Sequence, residues 1–532
     1  MSPTPATLVA GRIEGTVTPD GRVRSFFGVP YAQPPVGALR WRPPQPLQRW
    51  SGVRAADRFA ASAPQPAVAT SSLYFGGERT FSEDCLYVNV WTGPTGAPLR
   101  PVLVWFHFGG FQFGSAANPL YDGTVLAREG ATVVGVNYRL GRAGWMAHPA
   151  LSAESDHGVS GNYGLLDQVA ALRWVRDNIE SLGGDPTRVT VAGLSAGGHS
   201  VHNLRACDQA VGLFHRAIAQ SAPGVAPVRN GPGHPANPQS LAAAEEAGSE
   251  VAGLLGVRTA AQLRAVPVDA LAAVELPRRT GRWTGGPVAG APVSMHSYDS
   301  AYPVVDGHVL RESPLTAYQH GRAGDVPMIV GTSGNEGAGL PWLTTRRDYE
   351  NYVDDEYGSH AERVHQLYPA RTDAEAPAAS RALEGDRVFV WSAWTAARLA
   401  ARTSPSPVWH YTFERHPPMD PDGAMLEGSS AGAFHGAELP YLFGTFDVWR
   451  WPWTAADHEL GRSMRAAWLA FAATGDPSSP ESDTAVPTWP AFTEQAPSSL
   501  VWNLPTRVAS SVIHRRRMDL FDDINGLKER AT

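Results

Sequence analysis

Arg188-Val-Thr-Val-Ala-Gly-Leu-Ser-Ala-Gly-Gly-His-Ser-Val-His-Asn-Leu204 passes from a short apolar run through a tight turn into a helical run. Val189, Thr190 and Val191 predict a buried strand over Arg188–Gly193, and the residues from Ala196 to Cys207 predict a helix that follows at once. Between them, Gly193-Leu194-Ser195-Ala196-Gly197 has the spacing G-x-S-x-G, which in a strand-to-helix turn holds a serine hydroxyl proud of the sheet edge. The small Ala196, Gly197 and Gly198 let the helix approach the sheet and leave the Ala196 N–H facing a reacting oxygen. An ordinary Gly/Ser turn is the plainer reading of the same residues.

Outward from this turn, Pro101–His107 predicts a strand closed by Gly109-Gly110, and the apolar run Ala131–Tyr138 predicts a central one. Leu165, Val169, Leu172, Val175, Ile179 and Leu182 form one helical stripe, with Asn162 as its cap and Gly183-Gly184 as its end. A further strand is expected at Val326–Val330, ending in Gly331. Strands alternating with helices predict an α/β fold with a mostly parallel, doubly wound sheet. Pro/Gly-rich stretches at Ala222–Pro238 and Gly281–Pro292 are read as surface excursions of one catalytic unit, residues 1–532, rather than as linkers.

Composition narrows the chemistry. The net charge of −7 gives no footprint for a nucleic-acid backbone or an anionic membrane, and the basic run Arg515–Arg517 is expected on a solvated helix face. The only lysine is Lys528, so neither a Schiff-base lysine nor a Walker loop is available. Cys85 and Cys207 allow at most one disulfide, the start carries no basic and long apolar leader, and no run of 18 apolar residues follows; a soluble, cytoplasmic protein is expected. His199 and His202 are read as helix-surface residues rather than metal ligands. No heptad pattern speaks to oligomeric state.

A serine nucleophile needs oxyanion donors, a base and a carboxylate. His107-Phe-Gly-Gly-Phe111, at the end of a predicted central strand, offers glycine N–H groups where such donors belong, a hairpin-type turn being the alternative. With 17 histidines, spacing alone does not single out the base.

Several ordered motifs do. Phe27–Arg40, Glu83–Trp91, His107–Phe111, Asn137–Gly141, Gly161–Gln168, Gly183–Pro186, the elbow, Gly212–Ile218, Asn335–Gly337 and His435–Gly444 resemble the type-B carboxylesterase and cholinesterase-like family of α/β-hydrolases over nearly the whole chain. The resemblance implies an α/β-hydrolase fold with large loop and helical excursions over the active site. It implies Ser195 as nucleophile, Glu336 as acid, His435 as base, the N–H groups of Gly109, Gly110 and Ala196 as oxyanion donors, and Ser221 as a partner of the acid. Departures from the pattern bear on the substrate pocket. Phe108 stands where the family has a third glycine and Leu194 where it has glutamate or glutamine. Phe75 stands where cholinesterase-like members have tryptophan, and Leu340 where aromatic rings often line the acyl pocket. The cysteine that would pair with Cys85 is absent, Ser62–Gln65 standing in its place, which suits a reducing compartment. Trp449-Arg-Trp-Pro-Trp453 is either an aromatic wall or, more plainly, core and rim packing.

The expected activity is hydrolysis of neutral, fairly apolar carboxylic esters through an acyl-enzyme, with a small-molecule substrate and no metal or organic cofactor. Two alternatives stay open. A dry pocket would suit a biosynthetic acyltransferase, cyclase or dehydratase-like enzyme with the same triad, and cholinesterase-like domains also serve as silent binding modules.

Overall fold

The order of strands in the central sheet explains how distant loops meet. A computed structural model of the protein describes residues 2–68, 70, 72–77, 80–230, 237–274, 301–339, 343–419, 431–478, 487–510 and 514–527. Its strands are β1 (Ser2–Thr7), β2 (Arg12–Val17), β3 (Arg24–Pro30), β4 (Val53–Ala55), β5 (Tyr87–Thr92), β6 (Arg100–Phe106), β7 (Thr132–Val136) and β8 (Gly184–Leu194). They continue with β9 (Arg216–Gln220), β10 (Gln239–Ser240), β11 (Val304–Val305), β12 (Met328–Ser333), β13 (Val408–Phe413), β14 (Ser499–Trp502) and β15 (Arg507–Ala509). Among the described residues thirteen strands make one sheet in the order β1-β2-β3-β5-β7-β6-β8-β9-β12-β13-β14-β15, with β4 beside β2; β10 and β11 pair separately. From β7 to β14 every neighbouring pair is parallel, and the flanks are antiparallel except for β4, which pairs parallel with β2.

The parallel centre is apolar on both faces, as crossover connections require. Along β6, Val102, Val104 and Phe106 enter one core cluster with the helices Tyr163–Asn178 and Trp391–Thr403. Leu103 and Trp105 enter the other, with the helix Ala455–Thr474. That is the period of two of a strand, and it puts helices on both faces as expected. Ion pairs tie the flanking motifs together: Arg139 to Asp167, buried, at 2.7 Å, and Arg40 to the half-buried Glu83.

Several details differ from expectation. β8 begins at Gly184 and β12 runs two residues past Gly331 to Ser333, because each extends along already paired neighbours. Asn162 precedes the helix Tyr163–Asn178 without capping it; its amide donates to Val304 O and Asp306 instead, pinning a later segment. Ala222–Ala226, read as part of a surface excursion, is buried, whereas Gly281–Pro292 lies outside the described residues. Arg515 and Arg516 are exposed, but Arg517 is half-buried, donating to Asp386 and stacking on Tyr368. Cys85 and Cys207 are free and buried, and Ser62 donates to Ser115. Trp449 is buried against Phe434, with Trp451 and Trp453 half-buried beside it, so the Trp-rich run packs as a flank of the core.

Candidate active site

β8 ends at Leu194 and the helix Ala196–Arg205 begins one residue later, leaving Ser195 to make the whole turn. It does so at φ 58°, ψ −120°, a conformation that costs on the order of 1–3 kcal/mol and persists only where surroundings impose it. Ser195 N–H donates to Gln220 O at 2.9 Å, and Ser195 O accepts from His199 N–H. Gly197 is required here: a Cβ would lie 1.9 Å from Phe106 O. Of the five non-glycine residues with positive φ among the described residues, Phe111, Ser195 and Ser221 all sit at this carboxyl edge. Strain is concentrated where the candidate chemistry is.

The loop after β6 carries Gly109 (φ 118°) and Gly110 (φ 59°), whose turn is closed by Gln112 and Phe113 N–H donating to Gly109 O. Among the described residues no protein acceptor is found for the N–H of Gly109, Gly110 or Ala196. His107 is buried against Tyr138, and its Nδ1 lies 2.8 Å from Phe108 O. Burial pulls it down to about 4, so it is neutral near pH 7.

Glu336 follows β12, and an isolated bridge pairs Asn335 with Phe434, which brings His435 beside it. His435 Nδ1–H donates to Glu336 Oε2 at 2.6 Å, and Glu336 Oε1 accepts from Ser333 N–H at 2.6 Å. With its other oxygen held by Ser333, the buried carboxylate presents Oε2 to the imidazole, and Nδ1 must carry the proton. Nε2 is then the basic nitrogen. Tyr74 donates its hydroxyl to His435 O at 3.0 Å. Leu194, next to the serine, lies under Gly436, next to the histidine: a Cβ on Gly436 would be 3.1 Å from Leu194 Cδ2. Ser195 Oγ makes no hydrogen bond to a protein group among the described residues, as is common before substrate closes such a site.

Phe108 is buried among Tyr74, Phe113 and Tyr121, with ring centroids 5.4, 6.3 and 5.8 Å away. Leu194 is fully buried, so its side chain makes the floor under the histidine loop rather than an open wall. Phe75 is half-buried next to Tyr74, and Leu340 lies outside the described residues. Ser221 is the correction: its hydroxyl is buried and unpartnered, and the bond expected from it to the acid comes from Ser333 N–H. Its own N–H is drawn away to Gly331 O by the turn at φ 45°. His199 and His202 are a second correction, since both are buried: His199 lies against Phe111 and Gly224, and His202 Nδ1 lies 3.0 Å from Tyr318 Oη. Burial pulls His199 down to about 3 and His202 well below its usual range. Among the described residues no group of three or more metal-ligating side chains gathers, and no helix is long and apolar enough to cross a membrane.

Two neighbours were not legible in the sequence. Glu438 is fully buried, its Oε2 accepting from Ser333 Oγ at 3.1 Å; burial and the charge of Glu336 push it up to about 7. Phe389 lies with its ring centroid 4.5 Å from that of His435, tilted by 36°. It sits in a π-helical turn, Asp386–Val390, between the helices Ala376–Gly385 and Trp391–Thr403. Gly337 allows the first helix to reach the acid loop, for a Cβ there would lie 2.0 Å from Arg381 O. The residue type and the tight Gly337/Gly385 approach are visible in sequence only once the register of that helix against the loop is known.

Over residues 2–520 the sequence matches the Carboxylesterase family. It is 38% identical to fumonisin B1 esterase of Sphingopyxis macrogoltabida, over 88% of this chain and 81% of that one. It is 33% identical to para-nitrobenzyl esterase of Bacillus subtilis strain 168, over 97% and 98% of the two chains. A solved structure of a PNB esterase superposes with a TM-score of 0.79 at 29% identity, covering 97% of this chain and 99% of that one.

Proposed function

We propose, for a chain that belongs to the carboxylesterase family and is an ester hydrolase of α/β-hydrolase fold, that Ser195, His435 and Glu336 are its acyl-transfer triad and neutral, fairly apolar carboxylic esters its substrates. The observation that carries this reading is the 2.6 Å bond from His435 Nδ1–H to a buried Glu336, next to a serine held at positive φ on a strand-to-helix turn.

His435 Nε2 takes the Ser195 proton as Oγ attacks the ester carbonyl, and Glu336 steadies the imidazolium that results. The oxygen that gains charge is held by the N–H groups of Gly109, Gly110 and Ala196, donors that need no reorientation when charge develops. The proton on Nε2 passes to the leaving alcohol, and water then repeats the sequence on the acyl-enzyme to release the acid. The cycle calls on no metal or organic cofactor. All three triad side chains come from one catalytic unit spanning the chain. Apolar Leu194 underlies the histidine loop and apolar Phe108 packs on Tyr74, which holds His435, so neither brings charge to the base, and this favours neutral esters. Free, buried Cys85 and Cys207 support a reducing, cytoplasmic setting.

The test is intact mass after an organophosphonate probe, with product analysis on a p-nitrophenyl ester chain-length series. One adduct per chain that is lost in Ser195→Ala, together with free acid as product, is the expected result. Wild-type turnover in Ser195→Ala would remove the serine from the mechanism, and a new ester or lactone in place of acid would move the reading to acyl transfer or cyclisation.

A further inference from the structure

At the opposite edge of the sheet, two guanidinium groups meet with no acid to balance them. Arg24 begins β3 and Arg100 begins β6; Arg100 pairs with Gly184 at the start of β8, whereas Phe106 pairs with Gly193 next to the elbow. Six residues of strand at about 3.3 Å each put this edge about 20 Å from the candidate triad. Arg24 is buried. Its Nε donates to Gly93 O at 2.7 Å and its Nη2 to Leu182 O at 2.9 Å. Arg100 is half-buried and donates through Nη1 to Ala127 O. The Leu182 and Ala127 carbonyls lie near the ends of short helical turns and the Gly93 carbonyl just past β5, and together they satisfy part of each guanidinium.

The remaining donors, Nη1 of Arg24 and Nε and Nη2 of Arg100, have no protein acceptor among the described residues and are not sealed off. Neither arginine forms an ion pair among the described residues. Both line a cavity of about 160 Å³ roofed by the loop Gly93–Leu99. Burial lowers the affinity of Arg24 for its proton, and the charge of Arg100 lowers it further; burial does the same to Arg100.

Glycines make the space. A Cβ on Gly93 would fall 2.0 Å from Arg100 Cζ, and one on Gly183 would fall 3.1 Å from Arg24 Nη2. Other charges nearby do not cancel the pair. Glu180 lines the cavity but is exposed and bonds neither arginine; Arg188 reaches Leu99 O and is paired with Asp185. Two partly buried, unpaired cations whose free donors face one cavity favour an anion that satisfies several donors at once.

We propose that Arg24 and Arg100 form a binding site for a tetrahedral oxyanion of the phosphate or sulfate class. At about 30 Å³ per water the cavity has the room of on the order of five waters, enough for a small oxyanion and its residual hydration. Bound there, the ion bridges the start of β3, the β5–β6 loop and the start of β6, so it stabilises the fold and takes no part in ester chemistry.

Isothermal titration of the full chain with inorganic phosphate, at constant ionic strength in chloride, tests this. The expected result is one phosphate per chain, displaced by sulfate, with Arg100→Met weakening it by about tenfold or more and ester turnover unchanged. Displacement by AMP as well as by sulfate assigns the site to the phosphate of a larger molecule; displacement by sulfate alone assigns it to the free ion. Equal binding by Arg100→Met means an adventitious ion only and overturns the proposal. If that variant does not fold, the unmodified protein decides: its Tm rises with phosphate to a plateau that chloride does not reproduce, and the same Tm in both salts overturns it.

Discussion

The elbow and the support of its base are built in opposite ways. The elbow is local: strand, strained Ser195 and helix lie within consecutive residues, and Gly197 secures the close approach. The support of His435 is non-local, gathering Ser333 from the end of β12, Glu336 just after it, Phe389 from a π-helical turn, Tyr74 from an early loop and Glu438 from the histidine's own segment. The proposed nucleophile is therefore fixed by backbone geometry, while the proposed base is fixed by groups that must each find it. Damage to the first acts through the turn, and damage to the second acts through individual contacts.

That difference is sharpest at Glu336. Glu336→Gln keeps the shape but allows the amide to donate toward Nδ1, which favours the tautomer with its proton on Nε2, where the base needs a lone pair. By analogy with the acid of a Ser-His-Asp triad, kcat falls by about 10⁴, while stoichiometric labelling of Ser195 by a slow phosphonate persists because the elbow is intact. A loss of less than about tenfold in steady-state kcat would show that the support of the base is dispensable.

Glu438 probes the same support through stability. It holds its proton up to about 7 in the folded chain against an ordinary value of 4.5, so between those values the folded state binds more protons than the unfolded one. Stability therefore falls as pH rises from about 4.5 through 7. Glu438→Gln removes that fall, leaving the variant better placed relative to wild type at pH 8 than at pH 5 by on the order of 2–3 kcal/mol. Denaturant unfolding at the two pH values measures it, and identical pH dependence in both proteins would refute it.

The contrast also explains what the sequence discloses. β6, β7, β8 and β12, the helix Tyr163–Asn178 and the elbow are legible because each is a local periodicity or a contiguous turn. Glu336 and His435 come from a resemblance, because 17 histidines carry no spacing rule that would choose one. Burial of His199 and His202 escapes a helical-face reading, because Gly224 covers the first and Tyr318 the second, and both approaches are tertiary events. The resemblance alone implies Ser221 as the partner of the acid; β12 runs on to Ser333, whose N–H takes that place. Arg24 and Arg100 are seventy-six positions apart and meet only because β3 and β6 start on one edge.

Phe389 gives the smallest effect and the finest distinction. A ring 4.5 Å from the imidazole does little for its neutral form, but in the proposed mechanism it stabilises the imidazolium formed as Ser195 gives up its proton. Such an interaction contributes about 0.5–2 kcal/mol, so Phe389→Leu, which keeps apolar bulk and removes the π face, lowers kcat by about 2- to 30-fold with KM little changed. Because the charged base becomes harder to form, the acid limb of the kcat/KM profile moves to lower pH, and Phe389→Tyr restores both. A merely structural role predicts something else: kcat and KM would change together, the pH profile would stay where it is, and the tyrosine variant would rescue only to the degree that it refills the volume. The π-helical turn gives that ring its aim, so straightening it by deleting one residue between Asp386 and Val390 should reproduce the leucine variant's kinetics and resist rescue by any aromatic side chain at 389.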